Sequence, residues 1–175
     1  ELKYNLGETQ TAVAEEFARQ IEQNLGITVN AVGTTFDQNI QDANELKGDL
    51  FKTSWSADYS SPETFLQAFY GKLIPKDPTA PSLINQSRYI NPAFDAYFEA
   101  GRKEKKRVSR LKNFSLAEKE LMLNPPIIVL WYAGDNQLIY AKVRNLHDNP
   151  LNFFYFREVY LKDWTKEEYQ NQLMK

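Results

Sequence analysis

At 175 residues and 42% hydrophobic content, the chain is long enough for one domain with a sizeable core and short of what two independent cores need. Its 21 basic and 23 acidic residues leave a net charge of -2, so no global field draws it to nucleic acid or to an anionic membrane. It has no cysteine, which excludes disulfides, thiolate nucleophiles and cysteine metal sites.

Residues 2–6 (LKYNL) alternate apolar and polar side chains, as a half-buried strand does. Val13, Phe17, Ile21 and Leu25 then recur every four residues, which predicts a helix with Thr9 as its cap and Gly26 as its stop. A strand is expected over 27–32 (ITVNAV), giving a strand, helix, strand unit with parallel strands. Phe36, Ile40, Ala43 and Leu46 mark a second helix closed by Gly48, and a third strand follows over 49–54.

Pro62 suits a first helical turn, capped by Ser60 or Ser61, with Phe65, Leu66 and Phe69 as the buried face and Gly71 as the end. Three prolines between residues 72 and 86 predict an extended surface loop. Asn91 and Pro92 restart a helix with Phe94, Tyr97 and Phe98 on one side, which Gly101 is expected to interrupt. The run RKEKKRVSR (102–110) reads as a solvated connection, with a polyanion or headgroup patch as the other reading. Val108, Leu111, Phe114, Ala117 and Leu121 then mark a further helix, stopped by Pro125 and Pro126.

The run IIVLWYA (127–133) is expected to be a buried strand, with 137–141 as a hairpin partner across residues 134–136. From Val143 onward aromatic residues cluster without clear periodicity. The chain begins at Glu1 without methionine or a signal-like segment, so an excised piece is expected, and its longest apolar run is too short to span a bilayer.

No two of the seven glycines are separated by a single residue, which removes dinucleotide and kinase glycine loops, and no G-x-S-x-G occurs. His147 is the only histidine and lies in a polar turn, so multi-histidine metal sites are impossible and no metal or cofactor is expected. Asp95 and Glu99 share a helix face with Arg102 and Lys103 following, the pattern of surface pairing and not of an acid/base dyad.

The stretch WSADYSSP differs from these. Asp58 follows an apolar strand and lies between Trp55 and Tyr59, where a carboxylate loses hydration and calls for a cation such as an ammonium group. Helix capping near Pro62 accounts for Asp58 equally well, and Trp55 and Tyr59 suit a core as readily as a ligand platform.

Four ordered blocks carry a family resemblance. LKYNL with NLGITVN, GDLFKTSWSADYSSPETFL, NPAFDAYFEAGRK and LAEKELMLNPPIIVLWY resemble the C-terminal part of the dipeptide/oligopeptide class of extracytoplasmic solute-binding proteins of ABC importers. The resemblance implies one α/β lobe of a two-lobed periplasmic-binding-protein-like fold, a mixed sheet flanked by helices. Residues 1–142 would form the ligand-binding lobe, and 143–175 a tail returning towards the other lobe and open to self-association. It implies a receptor and not an enzyme, periplasmic or lipid-anchored, which captures short peptides and delivers them to a membrane permease. In that class the carboxylate of the W-x-x-D-Y signature holds the peptide α-amino group, which places the role on Asp58 with Trp55 and Tyr59 beside it. A receptor for a metal complex or sugar, or a carboxylate-dependent hydrolase, are the alternative readings.

Overall fold

The computed structural model describes residues 1–173 apart from 135, 148, 150 and 152. The chain divides into two compact units, Glu1–Ile128 and Val129–Lys175.

The first unit is layered by the alternation of its opening strand. In β1 (Leu2–Asn5), Leu2 and Tyr4 point to one face and Lys3 to the other. Leu2 and Tyr4 are buried with Ala14 and Phe17 of α1 (Glu8–Leu25), while Lys3 Nζ reaches Asp42 Oδ2 at 2.7 Å on α2 (Phe36–Asn44). The two helices therefore cover opposite faces of one sheet. That sheet has the order β2-β1-β3, with β2 (Ala31–Thr34) and β3 (Leu50–Phe51) both parallel to β1. α1 begins directly after Gly7 without the expected Thr9 cap and ends at Gly26, whose φ of 66° is the left-handed conformation that glycine adopts without strain.

The strands differ from the sequence expectation in extent. β2 occupies 31–34 and not 27–32, because Leu2 pairs with Ala31 and the residues before Asn30 have no strand beside them. β3 stops at Phe51, well short of Ser54, and the carbonyl that follows, that of Lys52, accepts from Asn39 Nδ2 at 3.0 Å.

α2 differs in its face. Thr35 caps it by accepting from the Gln38 N–H at 3.2 Å, yet the side chains buried beneath it are Asn39, Asp42 and Ala43, while Phe36 and Ile40 are exposed. Burial here is offset by pairing, Asp42 with Lys3 and Gln38 and the Asn39 amide nitrogen with the Lys52 carbonyl, while Asn39 Oδ1 is buried without a hydrogen bond. The helix is closed by Leu46, with a φ of 55°, and not by Gly48. The Lys47 N–H donates to the Asp42 carbonyl at 2.8 Å and the Leu46 N–H to that of Ala43 at 3.4 Å, a Schellman pattern. Gly48 is small for a packing reason, since a Cβ there would sit 3.1 Å from the Phe51 ring.

The rest of the first unit is helical. α3 (Glu63–Leu66) runs into a 3-10 turn over 67–69, and α4 (Pro92–Lys103) and α5 (Arg107–Leu123) pack as a hairpin. Leu66, Tyr70, Phe94, Phe98, Phe114, Ala117 and Leu121 form their core. Phe65, expected inside, is 47% exposed. Gly71 opens a second 3-10 turn and donates its N–H to Asp95 Oδ1 at 2.9 Å. Asn91 caps α4 by accepting from the Ala93 and Phe94 N–H groups.

The proline-rich loop is anchored through fully buried Asn85. Its Nδ2 donates to the carbonyls of Tyr70 and Tyr89, and its Oδ1 accepts from the Tyr89 N–H. Gly101 does not interrupt α4; it is buried within the helix because the Phe114 ring occupies the space a side chain would need, 2.6 Å from a Cβ. Gly101→Ala should therefore destabilise the protein. The gain of about 1 kcal/mol in helix propensity is outweighed by overpacking that typically costs about 1–3 kcal/mol, and the denaturant midpoint should fall.

Glu99 accepts hydrogen bonds from Lys72 at 2.5 Å and Tyr70 at 2.8 Å, which hold its carboxyl down to about 2. The hydrogen bond from Lys3 and then that from Gln38 lower Asp42 as well. Groups depressed on folding stabilise fully above their unfolded pKa and lose that contribution as pH falls through the folded one. The urea midpoint should thus decline between about pH 4.5 and pH 2, and Glu99→Gln should flatten the decline.

The expected buried strand is absent: residues 127–133 are irregular and exposed, and no strand pairs with them among the described residues. Nor do 137–141 form a strand; the turn between them includes residue 135, outside the described residues. Pairing appears further on, where β4 (Val143–Arg144) runs antiparallel to β5 (Tyr160–Leu161). Arg144 and Lys162 both lie over the Trp164 ring, at 4.6 and 5.2 Å from its centroid. α6 (Lys166–Leu173) opens with a reciprocal cap: the Glu168 N–H donates to Thr165 Oγ1, and the Thr165 N–H donates to Glu168 Oε2.

Candidate binding site on the first unit

All three strands of the first unit are parallel, so their C-terminal ends lie on one edge, carrying Leu6, Thr35 and Lys52 as the next residues. The chain leaves β1 through α1 to one side and reaches β3 through α2 on the other face. The edge between β1 and β3 is therefore where the winding reverses, the place where open α/β sheets bind ligands. The residues leaving β3 at this edge lead into the W-S-A-D-Y stretch.

Trp55 is 40% exposed and Tyr59 41%, and among the described residues no other ring packs on Trp55. Neither is a core residue. The Tyr59 hydroxyl is raised above the usual tyrosine range, first by burial and then by the charge of Glu63, with a smaller push from Asp58, so it stays protonated and able to donate.

Asp58 is exposed. It does not cap α3: that work falls to Ser61, whose Oγ accepts from the Glu63 N–H at 3.3 Å. Asp58 is held instead by Thr64, which is fully buried. The Asp58 N–H donates to Thr64 Oγ1 at 3.2 Å, and that hydroxyl donates to Asp58 Oδ2 at 3.4 Å. Oδ1 accepts no hydrogen bond among the described residues. A carboxylate fixed through one oxygen and open through the other, on the same short segment as two accessible aromatic rings, is suited to receive a cation.

Two participants escape sequence reasoning. Thr64 shows no signal beyond lying on a helix turn, and its role needs the fold. Lys52 could be found only by placing it on the strand edge. It is half-buried, its amine contacts Gln10 of α1, and burial lowers it below the usual lysine range. Glu63 is tied to α4 through Arg102 Nε at 2.8 Å, which couples the start of α3 to the aromatic core.

A shallow groove of about 290 Å³ lies elsewhere on this unit, lined by Ile40, Asn44, Pro81 and Leu83 together with Asp37 and Glu45. Among the described residues no three or more His, Cys, Asp or Glu side chains converge as a metal site, and no helix is long and apolar enough to cross a membrane. His147 is exposed.

Comparison with known proteins gives a consistent neighbourhood. No family model matches the chain. The periplasmic murein peptide-binding protein MppA of Escherichia coli is 28% identical over 161 residues, covering 91% of this chain and 28% of that protein. The periplasmic oligopeptide-binding protein OppA of the same organism is 23% identical over 161 residues, again with 91% and 28% covered. The solved structure of the Escherichia coli murein tripeptide-binding protein MppA superposes with a TM-score of 0.77 at 27% identity, over 91% of this chain and 30% of that one. The chain thus spans a little over a quarter of the length of the curated relatives it matches, and over that part it carries the periplasmic-binding-protein-like fold.

Proposed function

We propose, from the kinship of this chain with the periplasmic peptide-binding proteins of ABC importers, that it is the part of such a receptor that grips the amino end of a short peptide. The observation that carries this reading is Asp58: a carboxylate fixed by a buried threonine, with one oxygen unengaged among the described residues, on the segment that leaves the edge where the parallel strands end. An α-ammonium group satisfies it. As a second lobe closes over the ligand, both charges lose water together, and charge-assisted hydrogen bonds from the ammonium group offset that cost. Trp55 and Tyr59 supply apolar walls, and the Tyr59 hydroxyl a donor. The remainder of the peptide is held through its backbone, which tolerates varied side chains.

In this reading residues 1–142 serve the ligand, 143–175 run towards the other lobe, and the receptor acts outside the cytoplasmic membrane, handing its cargo to a permease. It needs no catalytic group. The test is calorimetric titration of the two-lobed protein with di- to hexapeptides, a neutral sugar and a divalent metal complex in turn. Saturable binding of peptides is expected; saturable binding of the sugar or the metal complex without peptide binding would contradict the assignment.

A further inference from the structure

The basic run read from the sequence as a solvated connection lands on the tip of the α4–α5 hairpin, and α5 carries it outward along one face. The inner face of α5 is Phe114, Ala117 and Leu121, all buried. Opposite them lie Val108, Lys112, Ser115, Lys119 and Met122, at helical spacings of four, three, four and three, which extends the stripe over about 21 Å. Val108 is 82% exposed and Met122 56%, while Leu111, also exposed, borders the stripe.

Lys105, Lys106, Arg107 and Lys112 are all exposed, and among the described residues none has an ion-pair partner. The first turn of α5 contains no acidic residue; Glu104 spends an oxygen on the Lys106 N–H, and Glu118 lies at the margin of the stripe. Two exposed aliphatic side chains thus flank a row of cations along one helix face.

We propose that this face rests on an anionic lipid surface, with Val108 and Met122 entering the headgroup layer and Lys105, Lys106, Arg107, Lys112 and Lys119 engaging lipid phosphates. Three properties favour lipid over an acidic protein surface. The cations are mostly lysines, compact charges on flexible stems that suit a fluid array of phosphates, where a fixed carboxylate partner would favour arginine forks. The stripe extends over about 21 Å along α5, long enough to meet several headgroups at once. Exposed aliphatic side chains, Val108 and Met122, stand at the two ends of the charged stripe, where they can enter a headgroup layer. This contact is independent of the Asp58 assignment, because it lies on another helix and uses none of its residues.

The experiment is co-sedimentation of the 175-residue chain with vesicles of phosphatidylcholine alone and of phosphatidylcholine with an equal part of phosphatidylglycerol, at low and at 0.5 M salt. Partitioning should be on the order of a hundredfold stronger on the anionic vesicles at low salt and should fall steeply with salt. Lys105→Glu/Lys106→Glu/Lys112→Glu should abolish the preference with the circular dichroism spectrum unchanged, and Val108→Ser should weaken it severalfold with all cations in place. Equal partitioning on both vesicle types, or a preference that survives charge reversal, would overturn the proposal. So would a preference indifferent to Val108→Ser and matched by binding to polyglutamate, which would identify an acidic protein surface as the partner.

Discussion

Asp58→Asn should weaken the binding of a free-amine peptide to the two-lobed protein by about 30-fold or more while leaving its unfolding midpoint unchanged. The magnitude follows from the position of the charge. Removing one member of a buried, hydrogen-bonded charge pair in an interface costs about 2–5 kcal/mol, much of it because the other charge stays buried and unpaired. Stability should not follow, because the carboxylate is exposed in this lobe and its one side-chain bond, to Thr64 at 3.4 Å, can be kept by the amide oxygen. Isothermal titration of both proteins, paired with thermal unfolding, separates the two effects. Equal affinity in the variant would remove Asp58 from the site, and a large fall in the midpoint would return it to a structural role.

The second large effect is expected in the helical core. Phe98→Ala should cost about 3–5 kcal/mol, because the ring is buried and in contact with others on several sides. Its centroid lies 5.0 Å from that of Tyr70, 5.9 Å from Phe94 and 6.0 Å from Phe114, and Arg102 lies 5.9 Å above it. Phe65→Ala, by contrast, should cost about 1 kcal/mol or less, since half of that ring already faces solvent. Urea denaturation of the two variants checks the pair. A Phe65 effect as large as that of Phe98 would mean that the helical layer is packed differently.

The contrast between Phe98 and Phe65 also shows what sequence could and could not supply. Local signals were legible: the alternation of LKYN, the helix restart at Asn91 and Pro92, and the stop at Gly26 each correspond to an observed element. The parallel strand, helix, strand unit followed from their order. Periodicity, however, reports that a helix has an apolar stripe, not which face is covered. In α2 the stripe containing Phe36 and Ile40 faces outward, and the opposite face is buried with Asp42 paired to Lys3 and the Asn39 amide nitrogen paired to the Lys52 carbonyl.

The extent of a strand depends on its neighbour, so apolar character alone placed β2 too early and made 127–133 a strand without any strand beside it. The Thr165 and Glu168 cap of α6 is written in the sequence as T-x-x-E, a local signal set among aromatic residues that lack periodicity. At the proposed site, Trp55, Asp58 and Tyr59 are named by a motif, whereas the hold of Thr64 on Asp58 and the place of Lys52 on the strand edge depend on the fold.

The central claim is that a peptide is recognised by its charged amino end. It is tested most directly by titrating the unmodified two-lobed protein with one short peptide in two forms, with a free amino terminus and N-acetylated. Acetylation removes the cation and leaves every other group of the ligand in place, so an Asp58 anchor predicts affinity at least about tenfold lower for the acetylated form, or roughly 1.4 kcal/mol. Equal affinity for the two forms would contradict the account.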